Sequence, residues 1–143
     1  MAGGAVLALT AVIGTCFGTS GHVRAVADVV DGDTWVSDTG EKIREIGIDT
    51  PETWTAFGEV GWSCEAERAH GEIANARARE LLEGQRVHLE TEGSLDRYGR
   101  LLGNTILPDG RDYGDVMIAE GLAAPWEGRQ HEWCRKDGSL NPP

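Results

Sequence analysis

A small β-barrel with helices over its ends, α+β in class, is the fold this sequence predicts, and three observations carry it. Short runs of strand-forming residues recur before and after the middle of the chain, each ended by Asp, Gly or Pro. One long stretch with helical periodicity lies between them. Helices are too few to alternate with the strands, as an open parallel sheet requires. At 143 residues the chain has room for one domain with a core of its own.

The first 21 residues, MAGGAVLALTAVIGTCFGTSG, carry no charge and stand outside that fold. They resemble the apolar part of an export signal without its basic leading residues, or a short membrane anchor. Export to the periplasm or the medium is the expectation, retention by an uncleaved anchor is the alternative, and residues 22–143 form the domain. Within it, Val23 to Val30 reads as a strand, Asp31-Gly32 interrupts, and Thr34-Trp35-Val36 resumes. Asp38-Thr39-Gly40-Glu41 makes a hairpin loop. Lys42 to Ile48 returns as one strand, with Arg44, Ile46 and Ile48 on one face and Glu45 and Gly47 on the other.

After the irregular run TWTAFGEVGWS, a helix is expected from about Cys64 to Glu83. Ala66, Ala69, Ile73, Ala76 and Glu80 or Leu81 fall on one face, Ser63 caps it and Gly84 stops it. Val87 and Leu89 mark a short strand, and Leu101 to Leu107 another, turned by Pro108-Asp109-Gly110. Asp115 to Glu120 is a short helix ended by Gly121.

The formal net charge is −11, and all of it lies after the leader. That balance repels phosphate backbones at long range and argues against a general nucleic-acid coat protein. A local site where a cation and a few arginines meet phosphate remains open. Self-repulsion makes a monomer the expectation, and no protein partner is implied. Cys16 belongs to the leader; Cys64 and Cys134 either form a disulfide or remain two buried thiols. With His131 they offer only three ligands, too few for a closed metal site.

Three polar clusters stand at strand ends or loops: Asp31-Gly32-Asp33-Thr34, the Arg44 to Glu52 segment, and Asp96-Arg97-Tyr98-Gly99-Arg100. Each alone is ordinary turn chemistry. Arg44 is more telling, because a charge inside a strand must leave the core or be paired. Its neighbour Glu45 faces the other way, so a polar pocket at the barrel mouth is the better place for it. Asp33 and Asp49 come from neighbouring strands, and with a backbone carbonyl and water they make a hard-oxygen site suited to Ca²⁺. Pro51 fixes the chain so that Glu52 sits beside the metal, where a carboxylate can deprotonate a water. Arg44 and Arg100 can grip and neutralise a phosphoryl group. Metal, base and two guanidiniums point to phosphodiester hydrolysis. A non-catalytic binding module is the alternative, and a Ca²⁺-stabilised structural domain a third; the latter leaves Glu52 and both arginines idle.

Asp31-Gly32-Asp33-Thr34, an Arg five residues before Asp49-Thr50-Pro51-Glu52, and Asp96-Arg97-Tyr98-Gly99-Arg100, in that order, resemble the staphylococcal-nuclease (thermonuclease) family over roughly Val23 to Trp126. The resemblance implies a five-stranded OB-type barrel with one long and one short helix, and a Ca²⁺-dependent nuclease acting on DNA and RNA. It implies cleavage of the P–O5′ bond to leave 3′-phosphates. Carried over, Asp33, Asp49 and the Thr50 carbonyl hold Ca²⁺, Glu52 handles the water, and Arg44 and Arg100 bind phosphate. Tyr98 and Trp126 match aromatics beside the bound nucleotide. Two departures stand out: Glu45 occupies a usually apolar position, and the family's lysine-rich surface is absent, so weaker binding of long DNA is expected. The final long helix of the best-known members is also expected to be missing, with a Cys64–Cys134 bridge tying down the tail instead.

Overall fold

The computed structural model describes residues 21–143, so the expected leader, with Cys16, lies outside the described residues. Strand β1 (Gly21–Asp31) pairs antiparallel with β2 (Thr34–Ser37) along its second half and with β7 (Arg86–Glu90) along its first. Register shifts between Val26 and Asp28, and again between Val29 and Asp31, let one strand serve two neighbours. Strand β3 (Lys42–Glu45) pairs antiparallel with β2, and β8 (Leu101–Ile106) antiparallel with β7. A parallel pairing of β3 with β8 closes the ring, in the order β1-β2-β3-β8-β7. The five-stranded α+β barrel expected from the sequence is the fold observed.

Val26, Val29, Trp35, Ile43, Val87 and Leu89 fill the barrel, each 3% exposed or less. Burying each such side chain contributes about 1.5–3 kcal/mol. Helix α1 (Glu65–Leu82) packs on β1, and α2 (Tyr113–Ala119) on β8. Asp112 caps α2 by accepting from the Asp115 amide, so this helix begins earlier than its expected start at Asp115. Among the described residues, no helix is long and apolar enough to cross a membrane.

Three local expectations need correction. The single strand from Lys42 to Ile48 is two: β3 stops at Glu45, and the chain resumes as β4 (Ile48–Asp49), paired with β9 (Ala124–Pro125). Gly47, at φ +80°, makes the break, since that left-handed conformation favours glycine. The faces therefore change: Ile43 and Glu45 are buried, Ile46 is 43% exposed, and Ile48 returns to the core. Helix α1 has Cys64, not Ser63, at its N-cap, without a side-chain cap bond. Its buried face is Glu67, Gly71, Ala74, Asn75, Ala78 and Leu82, displaced from the one expected. The run expected to be irregular contains a small hairpin, β5 (Thr55–Ala56) with β6 (Glu59–Val60), whose tip is the fully exposed Phe57.

Candidate active site

The acidic end of the site is built by close backbone approaches. A Cβ on Gly32 would lie 2.9 Å from the Thr50 side chain, so only glycine lets the Asp31–Asp33 turn meet the Asp49–Thr50 segment. The buried Tyr113 hydroxyl donates to the Gly32 carbonyl at 2.6 Å and pins that turn to α2. A Cβ on Gly71 would fall 2.7 Å from the Pro51 carbonyl oxygen, so α1 leaves room for the chain leading to Glu52. The buried Glu67 carboxylate then accepts from the Glu52 amide at 3.2 Å and the Ser63 amide at 2.7 Å. Asn75 Nδ2 donates to Thr53 Oγ1 at 2.9 Å. Helix and turn together fix where the second acidic pair stands.

Asp33, Arg44, Asp49, Thr50, Glu52, Tyr98, Arg100 and Trp126, drawn from separated parts of the chain, line one cavity of about 660 Å³. Arg44 Nη2 lies 3.1 Å from Asp33 Oδ2, and Nη1 donates to the Glu45 carbonyl at 2.6 Å. Thr50 Oγ1 donates to the same Asp33 oxygen at 3.0 Å. Arg100 is held by Asp96, Nε to Oδ2 at 2.7 Å, and Nη1 reaches Thr34 Oγ1 at 3.3 Å. The exposed Tyr98 ring lies 5.4 Å from the Arg100 guanidinium and 4.7 Å from that of Arg97, which also lines the cavity. Trp126 donates its amide to the Gly47 carbonyl at 2.8 Å and keeps a half-exposed ring at the cavity wall. Cys64 and Cys134 are not among the lining residues; they form a disulfide between the start of α1 and the C-terminal segment.

Carboxylates outnumber the cations among them. Burial pushes the Glu52 carboxyl up to about 7, and Asp33, Asp31, Asp49 and Glu67 add to the rise. Asp31, assigned no role from the sequence, is pushed up to about 6 by burial and then by Asp33. Burial also raises Asp49, against hydrogen bonds from the His131 amide and the Trp133 indole. Among the described residues Arg44 alone pairs directly with this group, so uncompensated negative charge faces the cavity.

A hard cation fits that surplus. Both hydrogen bonds to the Asp49 side chain from the described residues go to Oδ2, at 2.9 Å from His131 N and 3.2 Å from Trp133 Nε1, leaving Oδ1 free to ligate a cation. Among the described residues, no three His, Cys, Asp or Glu side chains form a cage by themselves. A site of two carboxylates, a carbonyl and water does not need one. Sequence reasoning missed Asp31, Glu67, Gln130 and Trp133. Asp31 was visible as the partner of Asp33 in the same turn, and Glu67 lies within 15 residues of its partners Ser63 and Glu52; Gln130 and Trp133 act across 78 and 84 residues and leave no local signal.

Residues 42–138 match the Staphylococcal nuclease homologue family, a span that includes Arg44, Asp49, Glu52 and Arg100. The chain belongs to that family. A thermonuclease of Staphylococcus intermedius is 36% identical over 108 residues, covering 72% of this chain and 59% of that protein. An uncharacterized endonuclease of Escherichia coli O157:H7 is 34% identical over 109 residues, covering 74% and 61%. The succinoglycan biosynthesis protein ExoI of Rhizobium meliloti (strain 1021) is 32% identical over 107 residues, covering 74% and 53%. The chain thus spans roughly three fifths or less of the length of these curated relatives. The last of them is not named for cutting nucleic acid, so within this nuclease family activity must be argued from the site.

Proposed function

We propose that this protein is a Ca²⁺-dependent nuclease that hydrolyses phosphodiester bonds of DNA and RNA. The observation that carries the reading is the convergence of Asp33, Asp49 and Glu52 with Arg44 and Arg100 on one cavity. A binding module has no use for a general base, and a structural Ca²⁺ site has no use for the arginines. Asp33, Asp49 and the Thr50 carbonyl would hold the cation, which when bound supplies Lewis-acid polarisation of a phosphoryl oxygen. Glu52 takes a proton from the attacking water, a task suited to a carboxyl raised toward neutrality. Arg44 and Arg100 donate to the phosphoryl oxygens as their charge builds, and Asp96 keeps the Arg100 fork oriented. Tyr98 and Trp126 offer faces on which bases stack. The bond broken is P–O5′, leaving a 3′-phosphate. Export, with residues 1–21 as signal or anchor, belongs to the same reading, since it separates the activity from the cell's own nucleic acid.

Hydrolysis of single-stranded DNA by the purified protein, with Ca²⁺ or with EGTA, beside Glu52→Gln, tests it. Cleavage is expected with Ca²⁺ only, and Glu52→Gln should lower kcat by ~10²–10⁴-fold. Binding of DNA by folded protein without any cleavage would overturn the enzyme and leave the binding module. Cleavage that persists in EGTA would exclude the metal.

A further inference from the structure

After β9 the chain folds back over the acidic end of the site instead of leaving it. Trp133 is 3% exposed, edge-on to His131 with ring centroids 4.6 Å apart and tilted against His70 of α1 at 5.8 Å. Asn141 closes the segment on itself: its amide donates to the Trp133 carbonyl, and its Nδ2 to that of Glu132. The Cys64–Cys134 disulfide ties this compact unit to the first turn of α1. From it, three uncharged donors reach back to the site. His131 N and Trp133 Nε1 both bind Asp49 Oδ2, and Gln130 Nε2 binds Glu52 Oε1 at 3.0 Å.

We propose that residues 126–143 form a positioning strap for the reaction: Trp133 and the His131 amide orient Asp49, Gln130 orients Glu52, and the Cys64–Cys134 bridge keeps the strap in place. The physical need is plain. Asp31, Asp33, Asp49 and Glu52 line one cavity and repel one another, so their orientations need fixing. Arg44 already pairs with Asp33, and a further lysine or arginine on Asp49 or Glu52 would cancel more of the charge that a cation requires. Neutral N–H donors fix orientation and leave the charge in place. None of these residues touches the reacting atoms; they act through Asp49 and Glu52, and the inference rests on the reading of those two given above.

The test uses the full chain, with three readouts: calorimetric titration with Ca²⁺ alone, kcat and KM on single-stranded DNA, and the thermal midpoint. Trp133→Phe removes the indole N–H and keeps most of the packing; Ca²⁺ affinity should fall about tenfold or more, as for other groups that orient metal ligands. Gln130→Ala should lower kcat several-fold at saturating Ca²⁺ and leave Ca²⁺ affinity and KM unchanged. An added phosphine, itself oxidised as the S–S bond becomes two thiols, should lower both affinity and kcat of the wild type. It should do nothing to the Cys64→Ser, Cys134→Ser protein. Reduced thermal midpoints with unchanged affinity and kcat would make the strap merely structural and overturn the proposal. If Trp133→Phe does not fold, the phosphine arm on folded wild type still decides. A wild type that binds Ca²⁺ but never cleaves sinks the nuclease alone, because Trp133→Phe still reports on the strap through affinity. One that neither binds nor cleaves sinks both.

Discussion

Glu45 is the residue most at odds with its surroundings. It lies 2% exposed inside the barrel, where its carboxylate oxygens receive Thr105 N and Thr105 Oγ1, both at 2.6 Å, while Trp35 Nε1 donates to the same hydroxyl. Those bonds oppose its rise but do not cancel it: burial pushes the carboxyl up to about 8, with Asp112 adding a little. Below its ordinary value of 4.5 the group is protonated in the folded and unfolded chain alike, and costs nothing. Above that only the unfolded chain ionises, so stability falls by about 1.4 kcal/mol per pH unit until the folded carboxyl ionises too. The whole loss is on the order of 5 kcal/mol, complete above about pH 8. Glu45→Gln keeps the shape and removes the titrating proton; its Oε1 still accepts from Thr105 N, and its Nε2 donates to a Thr105 hydroxyl turned to accept. In urea unfolding from pH 5 to 9, its stability relative to wild type should rise up to about pH 8 and then level off. Parallel curves would mean that the Glu45 carboxyl titrates alike in the folded and the unfolded chain.

At the scale of the element, α1 is shaped by the loop it supports. Alanine in a helix interior is ordinarily worth up to about 1 kcal/mol over glycine. At Gly71 that gain is outweighed, because the new Cβ would meet the Pro51 carbonyl at 2.7 Å and the backbone leading to Glu52 must shift. Gly71→Ala should therefore lower kcat tenfold or more, at a cost in thermal stability of about 1–3 kcal/mol, checked by paired rate and melting measurements. The same contact explains why the helix was legible and its buried face was not. Start and stop are local signals, and they fell within a residue of expectation. The face was chosen by hydrophobicity, which favoured Ile73, yet Ile73 is 57% exposed, while Gly71, Ala74 and Ala78 are buried and the Pro51 backbone presses against Gly71. The candidate site divides in the same way. Asp33, Asp49, Glu52 and Arg100 sit in compact turn motifs that announce themselves. Gln130 and Trp133 meet their carboxylate partners across 78 and 84 residues, where no spacing rule reaches.

Across the whole molecule, a net charge of −11 surrounds a cavity whose guanidiniums are Arg44, Arg97 and Arg100. Three phosphate contacts to a single strand give a salt slope of about −2 in log K against log salt. Binding of Glu52→Gln to single-stranded DNA, measured at fixed Ca²⁺ over a range of NaCl, should be no steeper than that. A slope of about −5 would reveal a basic tract that the described residues do not contain. The barrel itself sets a last condition. Its closing seam is the parallel pairing of β3 with β8, where Arg44 stands opposite Leu102 and Arg100 directly precedes the strand. Parallel neighbours cannot be joined by a tight turn, so this seam closes only after α1 and β7, which lie between, have been made. The two guanidiniums share a cavity only from that moment. A chain still emerging from its ribosome holds both arginines before it holds a place where they can meet.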